Sequence, residues 1–286
     1  MVASVAGSGS FSELEFTDAD FKSVRDLVRK NTGISLSEAK RDMVYSRLVR
    51  RLRELNLQRF SDYLALVCSD GADDELIQFT NAITTNLTSF FREGHHFEYL
   101  AETVLPELMR QNADVRKIRI WCCAASTGEE PYSIAMVVKE VIPKNSGWDV
   151  KILATDLDTN VLATAEKGIY PVDRIKDIPA HRQRRFFLKG GGKQQGHVRI
   201  RPELQQIITY KKLNLMDQWP LSGPIDIIFC RNVVIYFTKD TQKVLLERFT
   251  KLVAPGAHLF MGHSESLNNV TDKFQLLGRT IYRFAE

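Results

Sequence analysis

Apolar positions change their rhythm once along this chain. From about residue 17 to 82 they recur at helical spacing, with Phe21, Val24, Leu27 and Val28 at i, i+3, i+4 intervals behind an N-cap candidate, Thr17 or Asp18. The pattern predicts a small helical domain over 13–83. Its longest helix is expected over 37–55, where Val44, Leu48, Leu52 and Leu55 form one apolar stripe. Lys40, Arg47 and Arg51 fall on a neighbouring stripe, with Arg50 beside them.

Beyond residue 110 short apolar runs alternate with helical stretches. Runs at 118–123, 152–156, 207–215, 225–230 and 258–261 read as strands, and 132–141, 160–167 and 239–252 as helices between them. Strands alternating with helices predict an α/β fold built on a mostly parallel, doubly wound sheet. The end of the chain, 274–277 and 280–284, reads as a hairpin that adds antiparallel strands at one edge. The crossover from 156 to 207 is far longer than the roughly dozen residues a helical connection needs, so an insertion is expected there. Within it, residues 186–200 read as strand, Gly-rich turn and strand, a β-hairpin of its own.

Composition narrows the class of protein. The 286 residues suffice for one large α/β domain and a smaller one, with core enough to need no staples. A formal charge of +4 does not mark a nucleic-acid binder, so any basic partner surface has to be local. Cys68, Cys122, Cys123 and Cys230 show neither CxxC spacing nor the density of a secreted framework, which predicts reduced thiols in a cytoplasmic protein. No apolar run approaches the roughly 20 residues of a membrane span. The N-terminus lacks the pattern of a signal peptide, and residues 1–12, rich in Gly, Ala and Ser, are expected to form a loose tail.

The densest chemistry lies in Ile120-Trp-Cys-Cys-Ala-Ala-Ser-Thr-Gly-Glu-Glu130-Pro131, where an apolar strand runs into small residues, a glycine and paired acids. In a doubly wound sheet this is the first strand-to-helix turn, the place where nucleotide-like ligands sit. Gly128 permits a turn that a side chain would obstruct. Helix N-termini attract anions, so carboxylates at Glu129 and Glu130 argue against a pyrophosphate and for a ligand offering hydroxyls or a cation, such as S-adenosylmethionine. Asp156 ends the next strand, where an acid would meet ribose hydroxyls; it can equally cap the following helix. The run Phe229-Cys-Arg-Asn-Val-Val-Ile-Tyr-Phe237 places Arg231, Asn232 and Tyr236 beyond a central strand, near the reacting atoms. It lacks the Asn/Asp-Pro-Pro-aromatic run of methyltransferases acting on base amino groups.

Two further features stay open on the residues alone, and a third does not. Thr84-Thr-Asn-Leu-Thr-Ser-Phe-Phe-Arg92 reads either as a polar helix cap or as a wall of the ligand cleft. The basic stripe of Lys40, Arg47, Arg50 and Arg51 reads as a solvated helix face or as a surface for an acidic partner. Adjacent His95 and His96 lack the i, i+4 spacing of helical metal pairs, and no metal site is expected.

Taken in order, Thr85-Asn-Leu-Thr-Ser-Phe-Phe-Arg92, Ala124-Ala-Ser-Thr-Gly-Glu-Glu-Pro-Tyr-Ser133, Ala154-Thr-Asp156 and Phe229-Cys-Arg-Asn-Val-Val-Ile-Tyr-Phe237 resemble the chemotaxis receptor methyltransferases of the CheR family. The basic segment Lys40-Arg-Asp-Met-Val-Tyr-Ser-Arg-Leu-Val-Arg-Arg-Leu-Arg53 is similar to that family's N-terminal helix. The resemblance runs from about residue 16 to the end. It implies a Rossmann-like methyltransferase sheet over 84–286, an N-terminal helical receptor-recognition domain over 13–83, and an inserted antiparallel β-subdomain at about 170–206.

The implied reaction is S-adenosylmethionine-dependent methylation of glutamates on the cytoplasmic helices of chemoreceptors, in an enzyme recruited to membrane receptor arrays. By the same resemblance Asn86, Thr88 and Arg92 would hold the methionine end of the cofactor, Glu130 and Asp156 its amino-acid and ribose groups, and Asn214 and Leu215 its adenine side. Arg231 and Asn232 would complete the pocket, with Arg92 and Tyr236 nearest the methyl group as the catalytic pair. Gly190, Gly192 and Gly196 are similar to the hairpin that in some members docks a receptor's C-terminal pentapeptide. Neither nucleic acid nor direct membrane insertion is implied. The remaining alternatives are a methyltransferase of the same fold acting on a small molecule or nucleic acid, and a non-catalytic cofactor-binding module.

Overall fold

A computed structural model describes residues 14–285; the tail expected over 1–12 lies outside the described residues. The described chain divides into two compact units, a helical one within 14–30 and 36–83 and a second within 31–35 and 84–285.

In the helical unit α1 (Asp18–Thr32, its last two residues assigned to the second unit) starts at Thr17. The Thr17 hydroxyl accepts from the Asp20 N–H while the Asp20 carboxylate accepts from the Thr17 N–H, a reciprocal cap. The helix expected over 37–55 opens with a tight 3-10 turn, Glu38–Lys40, and is α-helical as α2 over Arg41–Glu54. α3 (Phe60–Val67) and α4 (Asp73–Ile83) complete the unit. Val44, Leu48 and Leu52 are buried as their spacing requires, in a core with Phe21, Phe60, Tyr63 and Phe79.

The second unit begins its fold with α5 (His95–Tyr99), a π turn over Leu100–Val104 and α6 (Leu105–Gln111). Then come β1 (Lys117–Cys123), α7 (Glu129–Val141), β2 (Asp149–Asp156) and α8 (Thr159–Lys167). An excursion follows: β3 (Ile169–Pro171), α9 (Ala180–Phe186), β4 (Phe187–Lys189), β5 (His197–Ile200) and α10 (Pro202–Gln205). The chain returns through β6 (Ile208–Lys212), β7 (Ile225–Cys230), α11 (Lys239–Thr250), β8 (Val253–Met261), β9 (Phe274–Gly278) and β10 (Ile281–Phe284).

The main sheet has the order β6-β2-β1-β7-β8-β10-β9. β6, β2, β1, β7 and β8 run parallel, and the terminal hairpin adds two antiparallel strands. Connections travel outward from β1 through β2 to β6, then resume on its other side at β7. The carboxyl ends of β1 and β7 therefore form the topological switch point where such sheets bind ligands. Helices cover both faces, so β1 is apolar on both: Ile118, Ile120 and Cys122 enter one core, and Trp121 and Cys123 the other.

Two differences from the sequence pattern have local causes. The strand expected over 207–215 stops at Lys212, because the Leu213 N–H bonds the Asp156 carbonyl and the Asn214 side chain accepts from Met216 N to turn the chain. The inserted hairpin gains a third strand, giving the order β3-β5-β4. In its turn a Cβ on Gly190 would lie 2.1 Å from the Gln194 carbonyl oxygen, and Gly192 and Gly196 take left-handed φ of +56° and +82°.

Candidate active site

The turn after β1 is shaped by backbone that few side chains tolerate. Ala124 and Ser126 are left-handed (φ 57° and 49°), and Ala125 N–H extends the parallel ladder to the Thr155 carbonyl at 2.8 Å. Gly128 is required twice over: its φ is +97°, and a Cβ there would lie 2.7 Å from the Ala165 Cβ and 2.9 Å from the Tyr170 hydroxyl. Ser126 then joins two segments distant in sequence, donating its N–H to Asp156 Oδ2 (2.8 Å) and its hydroxyl to the Asn86 carbonyl (2.9 Å).

Of the two roles that the sequence left open for Asp156, the helix cap falls to Asp158. Asp158 is the N-cap of α8, accepting from Asn160 N at 2.8 Å, and its second oxygen accepts from Asn86 Nδ2 (2.7 Å) and the Thr84 hydroxyl (2.9 Å). Asp156 accepts one backbone N–H on each oxygen, from Ser126 and Asp158. Burial pushes its carboxyl up to about 6, against the opposing effect of those N–H bonds. Each oxygen keeps a lone pair, which suits it to accept from hydroxyls.

Arg231, at the end of β7, is the buried hub. Its guanidinium bonds Glu130 Oε2 at 2.6 Å, Glu93 Oε2 at 3.2 Å and the Arg92 carbonyl at 2.5 Å, and lies over the Phe97 ring. Its Nε has no hydrogen-bond partner among the described residues. Burial raises the Glu130 carboxyl, with Arg231 and the Cys122 thiol opposing. Burial would raise Glu93 too, but bonds from His263 and the charge of Arg231 outweigh it and hold Glu93 at about 2. Glu93 also receives the His263 ring and Asn232 Nδ2.

A second buried carboxylate holds the loop after β7. Glu265 accepts from the N–H groups of Gly262 (2.6 Å), Asn232 (2.8 Å), Val233 (2.9 Å) and Ile235 (3.2 Å). It thereby fixes Asn232 at φ +58° and the 3-10 turn Val234–Tyr236 that carries Tyr236. Phe91 and Glu93 are left-handed as well (φ 52° and 59°). Left-handed non-glycine residues thus gather in the three loops of the site, where strain of about 1–3 kcal/mol each is tolerated because neighbouring bonds over-determine the backbone.

Of the residues singled out in the sequence, Asn86, Glu130, Asp156, Arg231 and Asn232 are drawn together by these bonds. Arg92 joins them through its carbonyl while its side chain reaches back to the Leu87 carbonyl (3.0 Å). Thr88 is half-buried in the same segment. Asn214 follows β6 next to Asp156, but its amide is engaged by the Asn31 carbonyl and Asp217; Leu215 beside it is buried. His96 is buried and bonds the Arg279 carbonyl. Asp158, Glu93, His263 and Glu265 escaped sequence reasoning. Only the Asp-Leu-Asp spacing around Asp156 hinted at the first.

In the helical unit the basic stripe is not uniform. Arg51 is spanned by both oxygens of Glu75 (2.8 and 2.6 Å) and by Glu54, and Arg47 donates to the Ile83 carbonyl. Lys40 and Arg50 are exposed, Arg50 pairing with Glu54 at 3.2 Å on the same helix face.

The donor set fits S-adenosylmethionine. Glu93, Glu130, Asp156 and Asp158 surround the turn against one buried cation among the described residues, Arg231, an excess of negative charge suited to a ligand bearing an ammonium, a sulfonium and hydroxyls. The unpartnered Arg231 Nε is a donor of the kind the ligand's carboxylate takes. A doubly wound sheet with this acid-lined turn at its switch point defines the class of S-adenosylmethionine-dependent methyltransferases.

Comparison with known proteins narrows the class. Residues 86–283 match the model of the CheR methyltransferase SAM-binding domain, and residues 19–84 that of the CheR methyltransferase all-alpha domain. Chemotaxis protein methyltransferase 2 of Pseudomonas aeruginosa is 45% identical over 273 residues, covering 94% of each chain. The chemotaxis protein methyltransferase of Klebsiella aerogenes is 45% identical over 270 residues, 94% of this chain and 90% of its own. That of Escherichia coli K12 is 43% identical over 275 residues, 96% and 93%. The chain belongs to the CheR methyltransferase family.

Proposed function

We propose that this protein methylates glutamate side chains on the cytoplasmic helices of chemoreceptors, giving γ-glutamyl methyl esters. S-adenosylmethionine-dependent methylation in chemotaxis follows from the family. The observation that carries the reading is the convergence of Asn86, Glu130, Asp156 and Arg231, from four separated motifs, on one switch point. When bound, the cofactor supplies an electrophilic methyl group on a sulfonium. A glutamate acceptor, with an ordinary pKa near 4.3, is already an anion at neutral pH and needs no general base. The chain's own task is alignment and exclusion of water. Asp156 would accept the ribose hydroxyls, Glu130 and Arg231 would hold the amino-acid end, and Arg92 and Tyr236 would lie nearest the methyl group. Arg92 acts best on the cofactor's carboxylate, since tight pairing with the acceptor would blunt its attack.

Receptor recognition falls to two further surfaces. Exposed Lys40 and Arg50 on the helical unit attract the acidic methylation helices, a long-range effect weakened by salt. The β-subdomain offers the outer edge of β4, which pairs only with β5 among the described residues. A receptor's C-terminal pentapeptide adds there as a further strand. No helix among the described residues is long and apolar enough to cross a membrane, and receptor binding is what recruits the enzyme to membrane arrays. The test is transfer of labelled methyl from S-adenosylmethionine to receptor-bearing membranes, with release of the label as methanol in mild alkali. Alkali-stable label would place the methyl on nitrogen and exclude a carboxyl acceptor.

A further inference from the structure

The inserted β-subdomain does more than present an edge strand. Its first strand and the 3-10 turn that follows, Val172–Ile175, reach the turn after β1 directly. The Tyr170 hydroxyl donates to the Thr127 carbonyl at 2.7 Å, and the Tyr170 ring stands edge-on to Phe90 (5.1 Å) and Tyr132 (6.3 Å). The Arg174 guanidinium pairs with Glu129, a fully buried carboxylate whose other oxygen accepts from the Thr127 hydroxyl at 2.6 Å. From Glu129 the bonds continue into the segment that carries Asn86 and Arg92. The Ser133 hydroxyl donates to the Glu129 carbonyl (2.7 Å) and accepts from the N–H of left-handed Phe91 (3.0 Å). Phe187 of β4 meets Phe90 edge-on, and Arg182 of α9 lies over the Phe91 ring while gripping Glu140 with two bonds.

We propose that Tyr170 and Arg174 are positioning residues for S-adenosylmethionine binding: the β-subdomain clamps residues 127–129 and, through Ser133, the strained backbone at Phe91. The proposal rests on reading the turn after β1 as the cofactor site. Glu129 is fully buried, so its carboxylate is held by the Arg174 guanidinium and the Thr127 hydroxyl rather than by bulk water. Gly128, which has no Cβ to brace it, is braced instead by the Tyr170 hydroxyl beside it. Sequence order hides the arrangement, because Tyr170 and Arg174 belong to an insertion and lie more than 40 positions from their partners.

The experiment is a double-mutant cycle on the affinity of S-adenosylhomocysteine, measured by calorimetry on the full chain, with thermal melting of each variant alongside. Arg174→Gln is expected to weaken binding by about tenfold, within the range for residues of one coupled network. Glu129→Gln combined with Arg174→Gln recovers most of that loss, because the buried charge and its partner leave together. Tyr170→Phe, which deletes one hydroxyl and keeps the ring packing, weakens binding severalfold with little change in melting. Unchanged affinity in both Arg174→Gln and Tyr170→Phe, whatever their melting, overturns the proposal and leaves the contacts purely structural. Asp156→Asn separates this from failure of the cofactor reading itself: a wild-type affinity there would displace the cofactor from the turn altogether.

Discussion

If Asp156 holds the cofactor's ribose as proposed, cofactor affinity should depend on acidity in a range where most carboxylates are silent. Its carboxyl is pushed up to about 6 because burial disfavours the charge more than the N–H bonds from Asp158 and Ser126 restore it. Accepting from two ribose hydroxyls requires the ionised form, so a proton competes with the ligand. Affinity is full above the folded pKa and is lost as pH falls through it. The dissociation constant is multiplied by one plus the ratio of protonated to ionised Asp156; at about pH 5 that ratio is about ten, at about pH 8 negligible. Calorimetry with S-adenosylhomocysteine at those two pH values is therefore expected to show about a tenfold weakening at the acid end. Asp156→Asn should bind weakly at both and lose most of this pH dependence. An affinity flat from about pH 8 to about pH 5 in the wild type would refute the role given to Asp156.

Three other perturbations separate folding from function. Glu265→Gln replaces an oxygen that accepts backbone N–H bonds by an amide that opposes them, so turnover is expected to fall by about tenfold or more, with cofactor affinity weakened through Asn232, and Glu265→Asp to recover part of both. His258, buried with neither ring nitrogen hydrogen-bonded among the described residues, is held neutral: burial lowers its pKa to about 4 from 6.5. The unfolded chain then binds the extra proton, and stability present above about 6.5 is lost progressively down to about 4, at most about 3 kcal/mol; His258→Leu should lessen the fall in melting temperature across that window, leaving the share of buried His96, which burial also lowers to about 4. Arg51→Glu would face Glu75 and Glu54 and should unfold the helical unit, seen as a lost or lowered calorimetric transition, whereas Lys40→Glu with Arg50→Gln should leave melting nearly unchanged, Arg50 having only an exposed pair with Glu54 to lose, and raise the KM for receptor fragments, most at low salt.

Strands and helices of the second unit were legible because each carries a buried face with its own period, and β1, β2 and β7 fall within a few residues of their expected bounds. The turn after β1 was legible for a different reason: Gly128 and two acids stand where a parallel α/β fold turns from strand to helix. What the sequence concealed is polar and tertiary. Glu93, Glu265, Tyr170 and Arg174 have no periodicity, and their meaning arises only when loops from distant strands meet. The left-handed backbone of Phe91 is invisible in a residue type that ordinarily avoids it. Arg51 looked like surface charge because its partner, Glu75, lies on another helix.

The most direct test of the central claim is tandem mass spectrometry of a purified chemoreceptor cytoplasmic fragment after incubation with the enzyme and S-adenosylmethionine. Methyl groups should be found on glutamate side chains, as esters lost in mild alkali, and should be absent when Asp156→Asn enzyme is used under the same conditions. Methyl groups on lysine or other nitrogen-bearing side chains, or none on a receptor known to be folded, would contradict it.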